Sequence, residues 1–291
     1  MTARITFASG GETCVGYLYG DKANPRACIV MCQGFGGTQD TPAFTANAEG
    51  FAAAGYRVLT FDYRNFGEST GEPRQLVDID GQLDDIAAAI NHARGLPDVD
   101  ADRIVLWGTS LGGAHAVVAA SRDPRIAAVI AQIPFNGTAR KVEGRSTAAT
   151  LRLLWVMTVD AARGLLGLSP AYIKAVGGPG ELATMSSTEA QQTIAGMTSD
   201  TWRNEVAPRA LFGLMRYRPA DAAPKVLAPA LVCAAERDKE VPLELVTQLA
   251  DALPHGVLRT YPCPHFAFYR DDVREQVLAD QLAFLDRVFD N

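Results

Sequence analysis

The stretch RIVLWGTSLGG (103–113) decides the fold. An apolar, β-branched run from Ile104 to Trp107 leads into Gly108-Thr109-Ser110-Leu111-Gly112, and helix-forming residues continue from 111 to about 121. A strand that turns directly into a helix around one residue forces that residue into a strained conformation. Small residues are then needed two before and two after it, and its side chain is pushed out above the sheet. Ser110 is therefore the candidate nucleophile, preferred over a turn kept only for packing. It also sits at a helix N-terminus, where the dipole and free N–H groups favour negative charge developing on a bound substrate.

Outward from this elbow the same alternation recurs. RITFA and CVGYLYG read as an antiparallel pair joined by the Gly10-Gly11 turn. ACIVMC (27–32), RVLTFD (57–62), RIAAVIA (125–131), ALVCAA (230–235) and VLRTYP (257–262) read as further strands, making eight with RIVLWG. Helices are predicted over 42–54, 77–94, 111–121, 243–252 and 272–289. Parallel strands need long crossover connections, so strict alternation predicts a mostly parallel sheet covered on both faces. Between about Pro134 and Pro224 the alternation stops. LRLLWVMTVDAARGLLGL there is helical and strongly apolar, and the remainder mixes Gly, Pro, Ser and Thr with short helical stretches. This segment is expected to be an inserted helical cap (134–224) on a core formed by 1–133 and 225–291.

Composition excludes several classes. The chain has 291 residues, 48% hydrophobic and 21% charged, which fits a folded globular protein rather than a disordered or fibrous one. A net charge of -6 and no clustered Lys and Arg argue against nucleic acid as a partner. No apolar run is long enough to span a membrane and the first residues lack a secretory pattern, so a cytoplasmic location is expected. The five cysteines form no CxxC pair and the four histidines are scattered, which predicts reduced core thiols and no metal site. No cofactor is expected, and a homodimer is allowed for.

A serine hydroxyl needs a base to take its proton. His92 and His115 lie within helical segments and read as structural, whereas His255 precedes the last strand, at the wrong edge of the sheet. His265 follows that strand, and sites in open parallel sheets lie at the carboxyl ends of strands, which selects His265. The imidazole in turn needs an acid. Strand 230–235 runs into Glu236-Arg237-Asp238-Lys239-Glu240, where spacing favours Asp238, with Glu236 as the fallback. Oxyanion donors are expected from the backbone N–H groups of Phe35, in the Gly-rich loop Gln33-Gly34-Phe35-Gly36-Gly37, and of Leu111.

Together these motifs resemble the α/β-hydrolase superfamily. FDYRNFGESTGEPR, WGTSLGG, ERDKEVP and HFAFY are most similar to a branch of bacterial serine hydrolases related to dienelactone hydrolases and to the fungal polyketide transferase group. The resemblance implies a mostly parallel eight-stranded sheet flanked by helices with an inserted cap, and hydrolysis or transfer of acyl groups. It also implies that Asp62-Tyr63-Arg64, Gly67 and Ser69 brace the site. One departure is that many relatives carry His-Gly where this chain has Gln33-Gly34. The cap contributes Leu151, Leu154, Trp155, Met157, Leu165, Trp202, Phe212 and Met215, more apolar surface than a short insertion needs. Trp155, Met157, Trp202, Phe212 and Met215 are expected to line a pocket for a medium or bulky acyl group of a small-molecule ester or thioester.

Overall fold

The computed structural model describes residues 2–20, 25–137 and 146–290. Strands β1 (Ala3–Ser9) and β2 (Glu12–Tyr19) form the expected hairpin, with Gly10 and Gly11 at φ of 55° and 89°, the left-handed values a two-residue turn demands. There follow β3 (Cys28–Cys32), α1 (Pro42–Ala53), β4 (Arg57–Phe61), α2 (Ile79–Arg94), β5 (Ile104–Thr109), α3 (Leu111–Arg122) and β6 (Ile126–Gln132). After an intervening segment come β9 (Ala230–Ala235), α7 (Leu243–Ala252), β10 (Gly256–Tyr261) and α8 (Asp271–Phe289). The boundaries lie within one or two residues of those read from the sequence.

The eight strands form one sheet in the order β1-β2-β4-β3-β5-β6-β9-β10. Only β1–β2 and β2–β4 pair antiparallel; every other neighbour is parallel. Strands β3, β4, β5 and β9 are buried along their whole length, which explains their continuous apolar runs. Two buried clusters cover the two faces, one beneath α2 and α3, the other beneath α1 and α8 around Trp107 and Phe51. Since β3 and β6 flank β5, the loops that follow these three strands open side by side at one edge of the sheet.

The segment between β6 and β9, expected as a helical cap, holds a short ribbon beside its helices. It holds α4 (Thr147–Leu165), then a two-stranded parallel ribbon of β7 (Lys174–Gly177) and β8 (Ala183–Ser186), then α5 (Thr188–Met197) and the short α6 (Leu211–Leu214). The ribbon escaped the sequence because KAVG and ATMS are four residues each and too short to show a period. Residues 138–145 of the expected cap lie outside the described residues.

Candidate active site

At the end of β5 the backbone turns directly into α3, and Ser110 takes φ 53° and ψ -117°, a combination that costs an L-residue strain. The neighbouring glycines are sterically required. A Cβ on Gly108 would fall on the carbonyl oxygen of Gly112, and one on Gly112 would fall on that of Cys32. Hydrogen bonds hold the strained peptide on both sides: Ser110 N–H donates to Gln132 O at 2.8 Å, and Phe135 N–H donates to Ser110 O at 3.0 Å. Behind the elbow runs a buried polar chain that the sequence reading missed. Trp107 Nε1 donates to Gln281 Oε1 (2.9 Å), Gln281 Nε2 to Gln132 Oε1 (3.0 Å), and Gln132 Nε2 to Thr109 Oγ1 (3.2 Å), which also meets the Tyr269 hydroxyl at 3.1 Å. The available signal was a glutamine on the apolar face of α8, four residues from both Val277 and Leu285, because such a group must be paired once buried.

His265 opens the turn His265–Tyr269, after β10 and beside the elbow. Its Nδ1 lies 2.6 Å from Asp238 Oδ2, and both side chains are almost wholly buried. Asp238 Oδ1 accepts the N–H groups of Glu240 (2.9 Å) and Val241 (2.7 Å), so the acid turn itself fixes the carboxylate. Burial works against a charged imidazole here. The Asp238 charge and hydrogen bond, followed by Glu240 and Glu189, outweigh it and raise the His265 pKa above its usual 6.5. Glu236, the fallback acid, instead accepts a hydrogen bond from the Thr260 hydroxyl at the surface (2.8 Å).

Ser110, His265, Gln33, Gly34 and Phe35 border one cavity of about 50 Å³. Among the described residues no hydrogen bond joins the Ser110 hydroxyl to His265, a contact that is often formed only with substrate in place. Leu111, as the first residue of α3, has no carbonyl four residues back within the helix to bond its N–H. A Cβ on Gly34 would stand 3.3 Å from Thr109 O and 3.4 Å from Ser110 Cβ, so glycine lets this loop lie against the elbow. In place of a histidine, the Gln33 amide donates to Phe61 O and ties the loop to the end of β4. Asp62 accepts from Gln39 N–H (2.8 Å), Gln39 Nε2 (3.0 Å) and Glu68 N–H (3.0 Å), while Ser69 Oγ donates to Asp62 O (2.6 Å). Arg64 grips Asp85 at 2.7 and 2.9 Å, so the 62–69 stretch, expected from the resemblance to brace the site, is tied to α2 as well as to Gln39.

The five expected pocket residues of the cap do not reach this cavity. Trp155 is 69% exposed on the outer face of α4, Met157 is buried in the core, and Phe212 packs against that core. Met215 is exposed and Trp202 is half-buried; neither borders the cavity. The wall is formed instead by Met185 at β8, by Gly196 and Met197 at the end of α5, and by Phe44, Phe266 and Tyr269. On α4 the buried side chains are Leu153, Met157 and Asp160, and Asp160 accepts the N–H of Arg209 at 3.1 Å. The signal for α5 was Ser187, an N-cap whose hydroxyl accepts from Ala190 N–H at 3.0 Å, ahead of Ala190, Ile194 and Met197 at helical spacing.

His115 and His92 are structural, and His255 is exposed. His115 is fully buried between Tyr217 (2.8 Å) and Gln82 (3.0 Å), and burial lowers its pKa to about 3. His92 stacks on Phe7. All five cysteines are buried and unbridged. Among the described residues no group of His, Cys, Asp and Glu could hold a metal ion, and no helix is long and apolar enough to cross a membrane.

A strained serine at the end of a central parallel strand, in a sheet of this order, defines the α/β hydrolases. The chain matches the family described as serine aminopeptidase, S33, over residues 23–265, and it belongs to that hydrolase family. It is 36% identical over 98% of its length to the "Quorum-quenching protein AidA" of Acinetobacter baumannii (strain MDR-ZJ06), covering 94% of that protein. It is 30% identical over 96% of its length to "Polyketide transferase ATR5" of Stachybotrys chlorohalonatus, covering 94% of that protein, which bears out the likeness to the polyketide transferase group. The solved structure of the α/β hydrolase GrgF from Penicillium sp. superposes over the whole of both chains with a TM-score of 0.83 at 23% identity, a likeness of fold.

Proposed function

We propose that the protein is a serine hydrolase that cleaves an ester or thioester of a hydrophobic acyl group through an acyl-enzyme. The observation that carries this reading is the shared cavity: the strained Ser110 and the Asp238-held His265 border one apolar-walled space. Ser110 Oγ attacks the acyl carbonyl as His265 Nε2 takes its proton. Asp238 holds Nδ1–H and stabilises the imidazolium, and the N–H groups of Phe35 and Leu111 take the oxyanion. His265 then returns the proton to the leaving alcohol or thiol, and water, activated by the same histidine, releases the acid.

The cavity as it stands would hold about three or four waters. A short acyl group suits that volume, and a longer one enters when Met185 or α5 gives way. The apolar lining supplies the preference for hydrophobic acyl groups. Labelling with a fluorophosphonate tests the nucleophile: wild type reacts at Ser110, and the reading fails if the folded protein does not react or if Ser110→Ala retains ester cleavage. Aryl esters of rising chain length, with matched thioesters and amides, then define the substrate.

Acyl transfer is the second reading, favoured by the relative named as a polyketide transferase. It differs only in the acceptor that meets the acyl-enzyme. Added alcohols or thiols that divert product from the free acid, at unchanged total turnover, would favour transfer.

A further inference from the structure

Helix α5 carries a carboxylate to the backbone of the expected base. Glu189, in its first turn, accepts the N–H of Phe266 at 3.0 Å, and Phe266 immediately follows His265. That N–H lies in the first turn of the short helix His265–Tyr269, where no intrahelical carbonyl is in reach, so the acceptor has to come from elsewhere. The preceding Ser187 extends its hydroxyl to Glu240 in the acid turn at 3.4 Å. Helix α5 thus touches both loops that hold the His265–Asp238 pair, while Gly196 and Met197 at its other end border the cavity. From these contacts we infer that Glu189 is a positioning residue for His265: it clamps the backbone beside the imidazole and supplies a negative charge to its surroundings, so that the base is fully set only when α5 is seated. The inference rests on the reading of His265 as the base.

Glu189 acts on His265 in two separable ways. The clamp is geometric, since a backbone hydrogen bond to a carboxylate fixes the peptide that leads out of His265 and hence where the ring can sit. Misplacement of a reacting group by about 1 Å can cost on the order of 10²-fold in rate. The charge is electrostatic. The groups facing His265 are Asp238 and Glu240 from the acid turn, Glu189 from α5, and Phe266 and Tyr269 from its own turn. Glu189 adds an anion from outside the loops that carry the triad, favouring the imidazolium in the same direction as Asp238 and Glu240. The neutral imidazole is the active base, so this charge moves the acid limb of activity to higher pH and makes the base stronger.

Two substitutions separate the parts. Glu189→Gln keeps an oxygen for Phe266 N–H and removes the charge; Glu189→Ala removes both. Glu189→Gln should hold kcat/KM for an aryl acetate within about threefold of wild type on its alkaline plateau while moving the acid limb to lower pH. Glu189→Ala should lower the plateau itself by about tenfold or more, chiefly in kcat. The His265 titration is followed independently by NMR of histidine ring carbons, which needs no substrate. It should fall in Glu189→Gln while His92 stays in place and His115 remains neutral. A His265 titration unmoved in Glu189→Gln overturns the electrostatic part, whether or not the enzyme cleaves esters. A folded Glu189→Ala protein with wild-type kcat/KM overturns the clamp. A change in KM for bulky substrates alone, with an unmoved pH profile, would reduce Glu189 to an anchor of α5 and overturn the inference.

Discussion

The floor and the roof of the cavity are built by opposite means. The floor, formed by the loops after β3, β5, β9 and β10, is fixed by short-range rules: glycines where a Cβ would strike a carbonyl, a serine at positive φ, an acid turn that binds its own N–H groups. The roof, α5 and its flanks, is held by carboxylates at its two ends. Glu189 bonds the histidine turn, and Asp40, in the loop after β3, accepts the hydroxyls of Ser199 (2.7 Å) and Thr201 (2.8 Å) and the N–H of Thr201 (3.0 Å). The floor is therefore rigid and local. The roof is seated by long-range polar anchors, and those are the contacts that can be released without unfolding the sheet.

The floor carries the largest effects. Ser110→Ala should reduce kcat/KM for aryl esters by at least about 10⁴-fold and abolish fluorophosphonate labelling while leaving the melting temperature near wild type. Asp238→Asn should cost about 10² to 10⁴-fold, because the amide no longer holds the Nδ1–H tautomer or stabilises the imidazolium. The two floor variants should also differ in pH behaviour. With His265 as the proposed base, wild-type activity should rise with pH through a His265 pKa held above 6.5, since the neutral form would be the base; removing the Asp238 charge should carry the remaining activity's limb to lower pH. A limb that stays fixed in Asp238→Asn would assign the titration to some other group.

Next comes the roof anchor. Burial opposes a charged Asp40, but the hydroxyls of Thr38, Ser199 and Thr201 and the Thr201 N–H overcome that and depress its pKa below 3.8. A depressed carboxylate contributes stability that is present above its unfolded value and lost as pH falls through the lower folded value. The anchor is therefore intact throughout the range in which His265 titrates, and mild acid should silence the base without freeing the roof. Asp40→Asn should speed hydrogen exchange at the Thr201 amide by about tenfold or more, with little change at the amides of β5. Unchanged exchange there would mean that α5 is seated by its apolar contacts alone.

This contrast also explains what the sequence could say. The elbow was legible because backbone geometry leaves few residues able to occupy its turn, and the places of His265 and Asp238 because each follows a strand that apolar patterning marks. Gly108 and Gly112 are the plainest cases, since their spacing around Ser110 is itself the steric requirement. The cavity wall was not legible. Apolar residues at helical spacing in α4 looked equally suited to a pocket, a core or a surface, and nothing local announces that Asp160 on its buried side bonds Arg209, 49 residues on. Glu189 and Asp40 were invisible for a related reason: their partners lie 77 and about 160 residues away, and no local pattern announces a contact at that separation.

The smallest expected effect separates the observed cavity wall from the expected one. Met197 borders the cavity from α5, whereas Met157, of the same residue type, is buried in α4 among core side chains. Met197→Ala should enlarge the cavity and raise the kcat/KM ratio of hexanoate to acetate aryl esters by about threefold to tenfold, since each methylene accommodated in an apolar pocket contributes on the order of 1 kcal/mol. It should cost little stability, because Met197 is only partly buried. Met157→Ala should do the reverse, lowering stability by about 2 to 5 kcal/mol while leaving the chain-length ratio as it was. Denaturant titrations and the ester panel read both quantities on the same two proteins. If Met157→Ala shifted the ratio and Met197→Ala did not, the acyl group would be meeting α4 after all, and the roof assigned here to α5 would belong to another part of the segment between β6 and β9.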